Sequence, residues 1–169
     1  MKPNGKYYEC VLDTNYCAAL LAQYNPSSKY EALKECPLLK TNILKIINPI
    51  ITEEEVENGK VVASAFAFIE ILNKFTMISK ARFSINKVRW FIEQPPKWFS
   101  IEGLSLDTCE KFISVPKYSI KDENIELTDA IHVATALQRV QSNIEIYFAT
   151  TDHKLHDLPL SSLGITLIS

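Results

Sequence analysis

Apolar residues fall along this chain in two alternating patterns: short continuous runs, and longer stretches with helical spacing. The first run, YYECVL (Tyr7–Leu12), is apolar and aromatic apart from Glu9, and reads as a strand buried on both faces. It stops at three small polar residues, Asp13, Thr14 and Asn15, and helical spacing follows at once through Tyr16, Ala19, Leu20 and Ala22. Asn25-Pro26-Ser27-Ser28 then breaks the chain; Ser28 is placed to cap a second helix over Lys29 to Cys36, which Pro37 ends. Leu38 to Asn48 has helical spacing at Leu39, Ile43, Ile46 and Ile47, with Pro49 and an acidic TEEEVENG turn after it. Val61–Ser64 reads as the second strand, and Ala65 to about Ser79 as a helix. Ser84 to Gln94 is the other arm of a helical hairpin, which Pro95-Pro96 stops. Trp98 to Leu104 reads as a third strand, at an edge, and Leu106 or Asp107 opens a short helix to about Ile113. Ser114 to Glu126 is a loop. Thr128 is a good N-cap for a helix to Val140, whose Ala130, Ala134 and Ala136 allow close approach to a sheet. Ile144–Ala149 and Ile165–Ile168 are the last two strands.

Strands alternating with helices predict an α/β fold with a parallel, right-handed, doubly wound sheet. A length of 169 residues suits one domain over 1–169. The net charge of -2 points to no nucleic-acid or membrane partner by itself, so any basic surface must be local. One basic region exists: Lys74, Lys80, Arg82, Lys87 and Arg89 fall between Glu70 and Glu93 with no acid among them. It reads either as a phosphate track for RNA or as the solvated face of the hairpin, with Trp90 and Phe91 as core or dimer contacts. Cys10, Cys17, Cys36 and Cys109 show no C-x-x-C spacing, which fits a reduced, cytoplasmic protein without disulfides or a zinc site. No apolar run reaches membrane-spanning length.

Four acids stand where chemistry is expected. Asp13 and Asp152 each end a buried-type strand, and Glu70 and Asp129 lie on helices that start from the same sheet edge. Each has a structural reading: Asp13 as a helix cap, Glu70 in a pair with Lys74, Asp129 meeting the helix dipole, Asp152 starting a turn. His132, on the face of Asp129, reads as a packed, hydrogen-bonded histidine. Taken together, however, the doubly wound topology puts all four carboxylates at one cleft, where ligands bind in such sheets. Such a cluster repels itself unless cations are bound. Oxygen-only ligands suit Mg²⁺ or Mn²⁺, and a carboxylate-bound divalent site suits in-line phosphodiester cleavage.

The motifs V-L-D-T-N (Asp13, Asn15), S-A-F-A-F-I-E (Ser64, Glu70), T-D-A-I-H-V-A-T-A-L (Asp129) and F-A-T-T-D (Thr150, Asp152) occur in this order over nearly the whole chain. In this the sequence resembles PIN-domain ribonucleases, especially the toxins of toxin–antitoxin pairs. The resemblance implies a five-stranded parallel sheet in a three-layer α/β/α fold and Mg²⁺- or Mn²⁺-dependent cleavage of single-stranded RNA. It implies Asp13, Glu70, Asp129 and Asp152 as catalytic, metal-holding acids, oriented by Asn15, Thr150 and Ser64. It also implies an antitoxin partner docking on apolar residues between Phe75 and Phe91. The chain departs from the family in its longer segment 23–60 and in Lys154, where many relatives carry a further acid, though Asp157 follows. Other readings stay open: an RNA-processing PIN nuclease, a non-catalytic PIN-like binding module, and an aspartyl-nucleophile phosphatase. The last normally needs an Asp where Asn15 stands.

Overall fold

The computed structural model describes residues 7–24, 39–52, 59–77, 85–117 and 124–169. The expected helix over 29–36 lies outside these residues. At the centre is β1 (Tyr7–Leu12), flanked by β2 (Gly59–Ser64) and β4 (Ile144–Ala149), with β3 (Phe99–Glu102) and β5 (Ile165–Ile168) at the edges. The sheet order is β3-β2-β1-β4-β5 and every pairing is parallel; Cys10 stands opposite Val61 on one side and Tyr147 on the other. The chain winds from β1 towards β3 and then crosses back to β4. The order therefore reverses between β1 and β4, and a crevice opens at their carboxyl ends. Gly59 lets β2 begin against β1, since a Cβ there would stand 2.5 Å from the Tyr8 carbonyl oxygen.

Alternation along β1 sends Tyr8, Cys10 and Leu12 to one face and Val11 to the other, so the sheet separates two cores. The first core is covered by α1 (Thr14–Gln23), α2 (Thr41–Thr52), α3 (Ala65–Met77) and α4 (Ile85–Glu93). The second is covered by α5 (Leu106–Ser114), α6 (Leu127–Arg139) and α7 (His153–His156). Phe91 is fully buried among Tyr24, Trp98 and Phe99 and belongs to the core, as its sequence context suggested.

The helix expected over 38–48 differs from the observed α2. Leu39 precedes it as an isolated bridge residue, and the helix runs through Pro49 to Thr52. An interior proline costs about 3 kcal/mol. Burial of Ile43, Leu44, Ile47, Ile50 and Ile51 on one face, each worth about 1.5–3 kcal/mol, outweighs it. Thr128 is not the N-cap of α6: the helix starts at Leu127, and Glu126 holds the cap position without a side-chain cap bond. Asp129, in the first turn, then supplies the negative charge that this end favours.

Glu9 is the one charge in β1, and it is buried. Arg139 at the end of α6 grips both its oxygens at 2.7 Å and reaches Glu102 on β3 at 3.2 Å. The two carboxylates, Glu9 foremost, raise the guanidinium pKa further. This ion triad ties α6 across β1 to the edge strand. No helix among the described residues is long and apolar enough to cross a membrane.

Candidate functional site

The crevice between β1 and β4 opens into a cleft of about 270 Å³ lined by Asp13, Glu70, Asp129 and Asp152, with Lys74, Glu126 and Thr128 around them. All four acids expected from the sequence therefore meet. The local reading of Asp13 also holds: it is the N-cap of α1. Oδ1 accepts from the Tyr16 N–H at 2.8 Å, while Oδ2 accepts from the Thr151 N–H at 3.0 Å. The same carboxylate thus starts a helix and pins the end of β1 to the end of β4. Asn15 adds a second tie, donating its amide to Thr151 Oγ1 at 2.9 Å. It bonds the neighbour of an acid rather than a carboxylate. Thr150 is fully buried, and its Oγ1 accepts the Asp152 N–H at 3.0 Å, so it holds Asp152 through the backbone. Asp152 caps α7, accepting from the Lys154 N–H at 2.9 Å.

Glu70 comes from the other layer. Thr14 Oγ1 donates to its Oε2, and His132 Nε2 lies 3.2 Å from the same oxygen. The hydrogen bond from His132, helped by Thr14 and the charge of Lys74, holds the Glu70 carboxyl below the usual range against the opposing effect of burial. Asp129 moves the other way, to about 6, because it is buried and because Asp152 faces it with a like charge and a shared hydrogen bond. Two carboxylates within hydrogen-bond reach can share a proton or a cation. Among the described residues no three His, Cys, Asp or Glu side chains converge into a ready-made metal centre. The donor set still fits a hard divalent ion: the lining acids offer only oxygen, and the Asp129–Asp152 pair is the repulsion that such an ion relieves.

Ser64 lies at the end of β2, where Oγ accepts the Ala67 N–H at 3.1 Å and meets His132 Nδ1 at 2.9 Å. Of the basic stretch, Lys74 reaches the cleft. Lys87 donates to the Ala22 carbonyl at 3.2 Å, and Arg89 pairs with Glu93 at 3.8 Å on an exposed face. Lys80 and Arg82 lie outside the described residues. Thr14 had no expected role, although its place between Asp13 and Asn15 was a signal. The imidazole of His132, expected only as a packed, hydrogen-bonded group, joins three other elements. Asp157 closes α7 and does not line the cleft.

No family model and no curated protein matches the chain. Solved structures do match over nearly its whole length. The structure of VapBC2 from Rickettsia felis bound to a DNA fragment from their promoter aligns with a TM-score of 0.57 and 16% identity, covering 95% of this chain and 97% of that one. FitAcB from Neisseria gonorrhoeae aligns at 0.55 and 15%, covering 95% and 96%. FitAB bound to an IR36 DNA fragment aligns at 0.52 and 16%, covering 94% and 93%. At such identities the likeness is one of fold.

Proposed function

We propose that this chain, which has the PIN-domain fold of the toxins in those complexes, is an endoribonuclease that cleaves single-stranded RNA with Mg²⁺ or Mn²⁺. The observation that carries the reading is the meeting of Asp13, Glu70, Asp129 and Asp152 in one cleft from four separate chain segments. A cluster of four acids is costly unless a cation uses it. Asp13, Glu70, Asp129 and Asp152 are the residues that would hold the cation. When bound, the ion supplies positive charge for the scissile phosphodiester and makes water a better nucleophile. The chain's own groups do the rest. Backbone N–H bonds fix Asp13, hydroxyl and imidazole bonds fix Glu70, and Thr150 sets Asp152 at the mouth of the crevice. Lys74 at the rim draws the phosphate backbone towards the acids.

The partner reading follows from the fold. As in the toxin–antitoxin complexes, we take this chain to be the toxin, with an antitoxin segment covering exposed apolar side chains. On α3 and α4, the exposed large apolar side chains among the described residues are Ile69, and Ile85 and Ile92 seven residues apart on one face of α4. A second copy of the chain is the other occupant for this face. The enzyme reading is tested with purified protein, an unstructured RNA and millimolar Mg²⁺ or Mn²⁺. We expect cleavage that stops in EDTA and is lost in Asp13→Asn. Cutting that survives either change overturns the mechanism.

A further inference from the structure

We propose that His132 is a positioning residue for Glu70, the middle link of a one-way hydrogen-bond chain from the first turn of α3, through Ser64 and the imidazole, to one oxygen of that carboxylate. The inference rests on the reading of Glu70 as a cation ligand.

The directions follow from counting hydrogens. Thr14 has one hydroxyl hydrogen and gives it to Glu70 Oε2. Towards the imidazole nitrogen 3.0 Å away, Thr14 can then only accept. Glu70 Oε2, 3.2 Å from the same nitrogen, also only accepts. Nε2 therefore carries the hydrogen. At the other side of the ring, Ser64 Oγ already accepts the Ala67 N–H, so its own hydrogen is free for Nδ1. A ring that carries its hydrogen on Nε2 and leaves Nδ1 to accept from Ser64 satisfies every group. The opposite tautomer sets a bare lone pair against two acceptors, and with His132 only 2% exposed, no water can repair it.

Placement gives the chain its purpose. Glu70 stands on α3, on one side of the sheet, while Asp129 stands on α6, on the other. His132 is one turn beyond Asp129 on α6, and its ring passes the sheet edge to touch α1, β2 and α3. It therefore fixes the spacing between acids brought from opposite layers. It also commits Oε2, so that Oε1 is the Glu70 oxygen left for the cleft.

The test uses the full chain, ¹⁵N-histidine spectra of the metal-free protein and Mn²⁺ titrations followed by thermal shift. Wild type should show the Nε2–H tautomer. His132→Leu should bind Mn²⁺ at least about tenfold more weakly. His132→Gln, which puts an amide N–H at the place of Nε2, should recover to within about threefold of wild type. Ser64→Ala keeps the ring and serves if His132→Leu does not fold: it should lose the single-tautomer signature and weaken Mn²⁺ binding severalfold. A purely structural histidine would alter melting in every variant and leave Mn²⁺ affinity alone. That result, or an Nδ1–H tautomer in wild type, overturns the proposal. A wild type that ignores Mn²⁺ overturns the cation reading and the purpose of the chain with it. A wild type that binds as tightly as His132→Leu overturns the positioning role alone.

Discussion

Replacing Asp129 with Asn should stabilise the cation-free protein at neutral pH, although it alters an acid in the heart of the site. Burial and the facing Asp152 raise the Asp129 pKa from 3.8 to about 6. The folded state thus keeps a proton that the unfolded chain releases. Stability from this group is complete below about pH 4 and is lost as pH rises through about 6. At about 1.4 kcal/mol per pKa unit, the ceiling is about 3 kcal/mol. The cleft is open to water, and screening lowers this to about 1–2 kcal/mol. Asn also forfeits the attraction between Asp129 and the start of α6, worth about 0.3–1 kcal/mol. The net gain is about 1 kcal/mol at pH 7, or about 2–4 °C for a chain of this size. Melting curves of wild type and Asp129→Asn in EDTA from pH 4 to 8 provide the assay. Wild type should lose stability between pH 4 and 6 more steeply than the variant. Parallel pH profiles, or a variant that melts lower at pH 7, would show that the Asp129–Asp152 repulsion does not destabilise the cation-free fold.

Other perturbations have equally definite outcomes. Arg139→Met leaves Glu9 charged and buried without its partner, and urea unfolding should show a loss of about 3–5 kcal/mol. Asp13→Ala removes acceptors from two backbone N–H groups and should cost about 2 kcal/mol in denaturant melts, beyond an ordinary cap loss of about 1 kcal/mol. Lys74→Gln combined with Lys80→Gln and Arg82→Gln should weaken RNA binding and flatten its salt dependence, while Arg89→Gln alone, already paired with Glu93, should leave the slope unchanged. Expression from the native operon should co-purify an antitoxin, and a chain that is harmless and unaccompanied there would count against the toxin role.

The central strands and the four acids were legible because their signals are local. A strand buried on both faces is a continuous apolar run, and Tyr7–Leu12 and Ile144–Ala149 coincide with β1 and β4 to the residue. Topology then carried Asp13 and Asp152 to one edge without any knowledge of contacts. Boundaries were lost where a distant energy overrode a local rule. Pro49 should end a helix, but five buried side chains hold α2 together beyond it. Thr128 should cap α6, yet the helix begins earlier, at Leu127. The links among Thr14, Ser64, Glu70 and His132 span 56 to 118 positions, and no spacing rule reaches that far. Asn15 and Thr150 were expected to orient the acids, but the groups they bond, Thr151 and the Asp152 backbone, emerge only from the fold.

Whether the four acids act as one cation site is tested most directly by a melting series at pH 7. Wild type and Asp129→Asn are melted in EDTA and across millimolar Mn²⁺. At an ion concentration about a hundredfold above its dissociation constant, binding should stabilise wild type by about 2.7 kcal/mol, a rise of several degrees, and Asp129→Asn should lose most of that rise. A wild type whose melting temperature does not move across the Mn²⁺ series would contradict the claim.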